Sequence, residues 1–343
     1  MLTEKEKLET YEKFRERYLR KTEEEAIQIV QDAYEEAKKV IPEGHVATYI
    51  PELGKVDPNQ LGICIYRMNG EKICIGDAQV RFTMQSVSKI LSLCVALELL
   101  GPDEVFKVVG AEPSGEAFNS IVELDLNSNR PYNPLINSGA LAIAGLLVSK
   151  VSFYDMLAAA RKLCVDPDIT INDAAYESEM KTCSRNRAIA YLLESKGIIT
   201  IDVEETLKFY TKLCSLNVTA ERLANFAQIL ASDGVCSKTG KRYLSGRTVR
   251  IVKTLMLTCG MYDGSGAYAI TVGIPTKSGV GGGLLCVSDK RAGIGVFGPA
   301  LDEKGNSVAG IKLLEQISQK LCLNLFFDPD WEDADQSSML ISE

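Results

Sequence analysis

The stretch from Gln85 to Lys89 carries the side chains whose types and spacing most clearly suggest catalysis. Ser86 and Lys89 are three residues apart at the start of an apolar run, so on a helix both would face the same direction. A serine hydroxyl needs an adjacent base, and a lysine desolvated in a cleft can supply one. The pattern predicts a Ser86 nucleophile with Lys89 as its base. The alternative is that Ser86 caps the helix and Lys89 is solvated. Ser88 is a rival nucleophile, but only Ser86 has Lys89 at a spacing of three.

Two later stretches add groups that suit the same chemistry. The run Lys277-Ser278-Gly279-Val280-Gly281-Gly282-Gly283 precedes a predicted strand. Its spacing does not fit a phosphate loop, and it favours a sheet edge where glycines admit a substrate and an N–H serves an oxyanion hole. Tyr262 lies in a loop just upstream, where a phenol near two lysines can move protons. The alternative for Tyr262 is a half-buried turn residue.

Composition excludes several other chemistries. The 343 residues include one histidine, His45, with 38 Lys+Arg against 46 Asp+Glu and a net charge of −8. A multi-histidine zinc site is impossible, and any histidine-dependent hydrolase would have to use His45, which we expect to be structural or exposed. The acidic balance argues against nucleic acid as a partner. We expect no metal and no organic cofactor.

The cysteines and the apolar runs indicate the redox state of the protein and whether it enters a membrane. The ten cysteines include no C-x-x-C pair and lie mostly in apolar runs, where free cysteine behaves as a small buried hydrophobe. The charged N-terminus does not resemble a secretory signal. The longest apolar runs, Val87–Leu100 and Gly139–Val148, are too short to cross a bilayer. We therefore predict a reduced, cytoplasmic protein with free cysteines and no membrane partner.

Hydrophobic periodicity predicts strands at both ends of the chain and helices between them. Thr22 opens a capping box before a helix that Pro42 and Gly44 end. Two strands joined by Asn69-Gly70 form a predicted hairpin. The predicted strands are Leu61–Arg67, Lys72–Gly76, Tyr268–Gly273, Gly283–Ser288 and Gly293–Phe297. The predicted helices after the hairpin are Val87–Leu100, Ser138–Lys150, Ser152–Leu163, Asn186–Ser195, Asp202–Leu213, Ala220–Ala231 and about Ser307–Leu321.

This order predicts an α+β fold in which both strand groups share an antiparallel sheet with flanking helices. A sheet lobe would span about 22–85 and 259–327, and an inserted helical lobe about 86–258, together forming a domain over 22–327. A ligand cleft is expected where the lobes meet. A charged extension, 1–21, precedes this domain. The acidic tail 328–343 follows it, and we predict that this tail is disordered.

Ser-x-x-Lys, the later Lys-Ser-Gly and the strand–helices–strand order resemble the serine β-lactamase and penicillin-binding fold. The closer resemblance, over roughly 25–325, is to the serine-dependent glutaminases of that superfamily, of the kidney-type and bacterial group. The segments that carry it are Tyr49-Ile-Pro-Glu-Leu, Phe82-Thr-Met-Gln-Ser-Val-Ser-Lys89, Asn133-Pro-Leu-Ile-Asn137-Ser-Gly-Ala, Arg185-Asn186-Arg-Ala-Ile-Ala, Tyr210-Thr-Lys-Leu-Cys-Ser, Cys259-Gly-Met-Tyr262-Asp, Lys277-Ser-Gly-Val280 and Gly305-Asn-Ser-Val-Ala-Gly.

The resemblance implies a role for each matched residue. Ser86 would be the nucleophile, Lys89 the base and Tyr262 the proton relay with Tyr49 close by, while the N–H groups of Ser86 and Val280 would form the oxyanion hole. The residues expected to bind glutamine are Tyr49, Gln85, Ser86, Asn137, Glu179, Asn186, Tyr210, Tyr262 and Val280.

Some assignments within this resemblance stay open. Glu177 competes with Glu179 for the substrate ammonium, and the spacing of seven from Asn186 favours Glu179. Lys277 resembles the lysine of the lactamase Lys-Thr-Gly strand, without a settled role.

The resemblance also implies an activity and an assembly. The expected reaction is hydrolysis of glutamine to glutamate and ammonia through a seryl ester, by a homo-oligomer that is a dimer or a tetramer. The alternatives are a β-lactam or peptide hydrolase of the same fold and a catalytically silent glutamine-binding protein.

Overall fold

A computed structural model describes residues 22–114, 120 and 130–326 of the chain. The charged extension 1–21 and the acidic tail 328–343 lie outside the described residues. The α-helices are α1 (Glu23–Lys38), α2 (Ser88–Leu100), α3 (Pro102–Val108), α4 (Asn137–Val148), α5 (Phe153–Leu163), α6 (Asp173–Thr182), α7 (Ser184–Ser195), α8 (Val203–Cys214), α9 (Ala220–Ala231), α10 (Gly246–Cys259), α11 (Ser265–Thr271) and α12 (Val308–Lys320). The strands are β1 (Gly62–Arg67), β2 (Lys72–Gly76), β3 (Phe82–Thr83), β4 (Asn217–Val218), β5 (Thr276–Ser278), β6 (Gly283–Ser288) and β7 (Ala292–Phe297).

Strands from the two ends of the chain share one antiparallel sheet, as predicted. Its order is β2-β1-β7-β6-β5. The hairpin predicted around Asn69-Gly70 is confirmed, with Gly62 opposite Gly76. The N-terminal β1 then pairs with the C-terminal β7, with Gly62 opposite Phe297. The α+β prediction is therefore confirmed, and β5, which carries Lys277, is an edge strand.

The two faces of this sheet are covered by different helices. Ile63 and Ile65 of β1 lie in the same buried cluster as residues of α1 and α12. Cys64 and Tyr66, which alternate with them, lie in the larger cluster formed mainly by the helical part of the chain. Successive residues of a strand face opposite sides, so the sheet lies between α1 and α12 on one face and α9 on the other.

Glycines of β7 allow α9 to pack directly on the strand backbone. A Cβ on Gly295 would lie 1.9 Å from the Ala220 carbonyl oxygen, and one on Gly293 would lie 2.0 Å from the Gln228 nitrogen. Neither distance is possible for real atoms, so both positions require glycine. The glycine-rich composition of the predicted C-terminal strands therefore reflects helix packing.

The predicted start of the first helix is confirmed, whereas one predicted strand is wrong. Thr22 and Glu25 form the predicted capping box at the start of α1. The segment predicted as a strand over Tyr268–Gly273 is mostly the helix α11. Ser265 and Tyr268 are the buried residues of this helix, three apart as on one helix face, and its C-cap residue Val272, four residues after Tyr268, is buried as well. This packing outweighs the strand preference of the β-branched residues in between.

The prediction that all cysteines are free is wrong for one pair. Cys64 and Cys74 are directly opposite each other in the β1–β2 register, with Cα atoms 4.1 Å apart, and are joined by a disulfide. Strand pairing brings the two together, which their spacing of ten in the sequence does not indicate. The other eight cysteines are free and buried, as predicted.

Within the described part of the chain, no single helix is long and apolar enough to cross a membrane. One pair, α4 and α5, meets the length and composition requirement together, but is bent by 113° at its junction.

Candidate active site

Ser86 lies in a short 3-10 turn, Gln85–Val87, that joins β3 to α2. Gln85 has a φ of +46°, a left-handed conformation that is costly for a residue with a side chain and is commonly found at functional sites. Ser86 and Lys89 are both buried, at 7% and 2% exposure. An alkyl ammonium buried to this extent is unfavourable, so burial lowers the pKa of Lys89 to about 8.

The glycine-rich loop that follows β5 lies against the segment that carries Ser86. A Cβ on Gly281 would lie 2.5 Å from the Thr83 carbonyl oxygen, and one on Gly279 would lie 2.8 Å from that of Met84. The sequence predicted that these glycines admit a substrate. The structure shows that Gly279 and Gly281 admit the neighbouring backbone, which places Val280 beside the cavity that Ser86 lines.

A chain of hydrogen bonds runs from Lys89 through two asparagines. Lys89 Nζ donates to Asn137 Oδ1 at 2.7 Å and to the Leu135 carbonyl at 3.3 Å. Asn137 Nδ2 donates to Asn186 Oδ1 at 2.8 Å. Because a protonated lysine can only donate, the Lys89 ammonium fixes the orientation of both amides. Asn186 accepts through its oxygen, so its NH2 group takes no part in this series of hydrogen bonds and is available as a donor.

Tyr262 is held behind Ser86 in a strained conformation. Its φ is +54°, and Lys277 Nζ lies 4.4 Å from the centre of its ring. Burial raises the pKa of Tyr262, and hydrogen bonding to the side chains of Ser86 and Ser278 opposes that rise. The phenol therefore keeps its proton at neutral pH and can donate it.

Lys277 is fully buried beside Tyr262. Its Nζ donates to the carbonyls of Gly260 at 3.2 Å and Ser278 at 2.5 Å. Burial, with the nearby charge of Lys89, holds the pKa of Lys277 well below its usual range. Lys277 therefore packs the Tyr262 ring in place and does not line the cavity. Ser278, which lies against the Tyr262 hydroxyl, was missed by sequence reasoning.

Glu179 supplies a buried carboxylate at the end of α6. It is 6% exposed and accepts a long hydrogen bond from Gln85 Nε2 at 3.4 Å. Burial raises its pKa to about 7, while Gln85 and the charge of Lys89 act in the opposite direction. A half-satisfied buried carboxylate is suited to receive a cation. The competing residue, Glu177, is exposed on the same helix.

A loop around Tyr49 covers the site from the N-terminal side. Ile50 and Leu53 lie in a small apolar cluster with Tyr262 and Val280, while Tyr49 itself is 57% exposed. The loop is also tied to α6, because the Glu52 amide donates to the Ser178 hydroxyl at 3.2 Å.

These elements enclose one cavity of about 100 Å³. The predicted residues that line it are Tyr49, Gln85, Ser86, Asn137, Glu179, Asn186, Tyr210 and Val280, and those that sequence reasoning missed are Ile50, Thr182, Cys183 and Arg185. Each missed residue lies within three positions of a predicted one in the chain, and this proximity was the signal available for them. Lys89 and Tyr262 do not line the cavity themselves. They contact residues that do, Lys89 through Asn137 and Tyr262 through Ser86.

Residues considered as rivals lie elsewhere. The Ser88 hydroxyl donates to the Gln85 carbonyl at 2.7 Å and does not line the cavity. His45 is exposed and is held only through its backbone, by Leu301. Among the residues that the structure describes, no cluster of His, Cys, Asp or Glu side chains is suited to hold a metal ion.

Residues 44–326 match the model of the Glutaminase family, and this segment contains every residue of the cavity. The chain belongs to the glutaminase family. Glutaminases from Clostridium botulinum (strain Hall) and Clostridium tetani are 50% and 46% identical to it, over 85% and 87% of this chain and 97% and 98% of theirs. A solved structure named "Probable glutaminase" from Bacillus subtilis, complexed with 6-diazo-5-oxo-L-norleucine, superposes with a TM-score of 0.80 at 38% identity, covering 89% of this chain and 98% of that one.

The glutaminase family assignment confirms the resemblance that the sequence motifs carried. Another structure, a "Probable glutaminase ybaS", superposes with a TM-score of 0.86 at 35% identity, covering 90% of this chain and all of that one. The glutaminase fold therefore accounts for nearly all of the described residues.

Proposed function

We propose that this chain hydrolyses the side-chain amide of L-glutamine to L-glutamate and ammonia through an ester on Ser86. The observation that carries the proposal is the single cavity that Ser86 lines, with Lys89 and Tyr262 behind its wall and the carboxylate of Glu179 in it. Membership of the glutaminase family supports the choice of substrate.

Lys89 is arranged to act as the base once it is neutral. A neutral amine has two hydrogens, and the Leu135 carbonyl and Asn137 Oδ1 accept both. The lone pair then points in a remaining tetrahedral direction, which we assign to the Ser86 hydroxyl. Burial favours this neutral form by lowering the pKa of Lys89 to about 8.

The reaction has two steps, formation of the ester on Ser86 and its hydrolysis. Ser86 Oγ attacks the amide carbon and loses its proton to Lys89, while the N–H groups of Ser86 and Val280 stabilise the oxyanion. Tyr262 donates a proton to the amide nitrogen as the C–N bond breaks, ammonia leaves, and the proton on Lys89 restores the phenol. Water then attacks the ester, its proton returns to Ser86, and glutamate is released.

The remaining lining residues distinguish glutamine from other amides. Its ammonium needs an acidic partner, which Glu179 supplies. Its carboxylate needs neutral donors, which the NH2 groups of Asn186 and Asn137 and the hydroxyls of Tyr49 and Tyr210 supply. A substrate that lacks the ammonium or the carboxylate would leave buried polar groups of the site unpaired, which is costly.

The nucleophile is tested with 6-diazo-5-oxo-L-norleucine, a glutamine analogue with a diazoketone in place of the amide. The proton of the Ser86 hydroxyl would pass to the diazo carbon, and Ser86 Oγ would then bond to that carbon as N₂ leaves, which gives an ether on Ser86. Peptide mass spectrometry should locate the adduct on Ser86, and Ser86→Ala should lose both the adduct and ammonia release from glutamine. Ser88→Ala is the matched control and should retain both. An active Ser86→Ala variant would overturn the proposal.

A homo-oligomeric state and a cytoplasmic location remain predictions. They rest on the sequence resemblance and on the composition of the chain, and the proposed chemistry requires neither.

A further inference from the structure

A second concave surface, separate from the active-site cavity, runs along α10. This groove, of about 760 Å³, shares no lining residue with the active-site cavity. Gly246, Arg250, Lys253 and Leu257 line it at spacings of three and four, so one face of α10 forms its wall. We propose that residues 327–343 of this same chain bind in the groove.

The groove carries an excess of positive charge. Lys253 is neutralised by Asp289 at 2.5 Å and Asp233 at 3.4 Å. Arg242, Arg250 and Lys290 also line the groove, and none of the three forms an ion pair with another described residue. The groove is therefore lined by four cations and two carboxylates, and this net charge of +2 can attract an anionic partner.

The composition of residues 327–343 complements this surface. The segment contains six acidic residues and no lysine or arginine, and it includes Trp331, the sole tryptophan of the chain. Leu257, Pro275 and Leu325 give the groove an apolar part, against which an aromatic ring can pack while the neighbouring carboxylates face the cations.

The chain leaves the described structure at the groove itself. Leu325 is one of its lining residues, and its amide donates to the Gly273 carbonyl at 2.8 Å, which fixes the point of departure. Leu325 and Phe326 are 47% and 71% exposed. The next 17 residues can extend about 55 Å at roughly 3.3 Å each, which exceeds what is needed to follow α10.

Because the protein has one tryptophan, the fluorescence of Trp331 reports directly on this contact. In the full-length protein at low salt, we expect an emission maximum blue-shifted from that of a synthetic peptide of residues 327–343, and lower accessibility to acrylamide. The double variant Arg250→Glu/Lys290→Glu should move both values to those of the peptide. High salt should have the same effect, because exposed charges are screened.

A matched control changes the same charge elsewhere. Lys150→Glu/Lys208→Glu alters two exposed lysines outside the groove and should keep the blue-shifted emission. Arg250→Gln/Lys290→Gln should give an intermediate shift and guards against a folding defect, which circular dichroism would detect. Emission equal to that of the free peptide in the unaltered protein would overturn the proposal. So would emission insensitive to Arg250 and Lys290, or a blue shift lost on dilution, which would indicate a second copy.

Discussion

Lys89 Nζ donates a 2.7 Å hydrogen bond to Asn137 Oδ1. This contact links the proposed base to the first residue of α4, and through Asn186 it extends to the region where the substrate carboxylate is proposed to bind. Asn137 is therefore placed both to orient Lys89 and to transmit the arrival of a substrate to it.

Replacing Asn137 should change the pH dependence of the reaction as well as its rate. Asn137→Asp places a negative charge beside Lys89, so the pKa of the base should rise and the increase of kcat/KM with pH should move to higher pH. Asn137→Ala should lower kcat by about 10- to 100-fold, the loss of one hydrogen bond to a charged group. Steady-state ammonia release measured across pH checks both. An Asn137→Asp profile that matches the unaltered protein would exclude the contact from catalysis.

The unaltered protein should become more active as the pH rises through 7 and then 8. Glu179, with a pKa raised to about 7, must be ionised to bind an ammonium group. Lys89, with a pKa lowered to about 8, must be neutral to accept a proton. Both requirements fail at low pH, so kcat/KM should fall steeply below pH 7. A profile flat between pH 6 and 9 would contradict both assignments.

Glu179→Gln should weaken glutamine binding far more than Glu177→Gln. The two residues are on one helix, but only Glu179 lines the cavity, whereas Glu177 is exposed. Loss of a buried charge partner should raise KM about 10- to 100-fold. The variant should also shift the kcat profile to lower pH, because the charge of Glu179 raises the pKa of Lys89. The reverse order of KM effects would move the ammonium site to Glu177.

The same Glu179→Gln change should make the free protein more stable above pH 7. The pKa of Glu179 rises from 4.5 to about 7 on folding, so between these values the folded state holds a proton that the unfolded state has lost. Its contribution to stability therefore declines as pH rises through this window, by up to about 3 kcal/mol. The glutamine side chain of the Glu179→Gln variant has no proton to lose in this range, so the variant lacks this decline in stability. Urea unfolding at pH 5 and pH 8 should show a gain at pH 8 only, with Glu177→Gln unchanged at both.

Gly281→Ala should impair both folding and activity, because the new Cβ would lie 2.5 Å from the Thr83 carbonyl oxygen. Overpacking of this kind costs about 1–3 kcal/mol, and it would displace Val280 from the cavity. Gly266→Ala is the control, since its Cβ would meet open space on α11, and it should stabilise the helix by up to about 1 kcal/mol. Thermal unfolding with ammonia release checks both, and a fully active Gly281→Ala protein would contradict the close approach.

Long periodic segments were predictable because burial imposes its own repeat on the sequence. The helices from Ser88 to Leu100 and from Ala220 to Ala231 are within one residue of their predicted bounds. The strand prediction over Tyr268–Gly273 is wrong because the segment is short. Its β-branched residues favoured a strand, although Tyr268 and Val272, four residues apart and both buried, have the spacing of a helix. The disulfide between Cys64 and Cys74 depends on strand register, which spacing does not reveal.

The motifs around Ser86, Asn137 and Lys277 identified the family by themselves, because residue type and order along the chain are sufficient for that comparison. Only the tertiary structure separated the residues that line the cavity from those behind it. It turned Lys277 toward the Tyr262 ring and set Asn137 between Lys89 and Asn186. It also buried Glu179 and exposed Glu177. Burial and hydrogen-bond partners depend on residues distant in sequence, and these decide which protonation state each group holds.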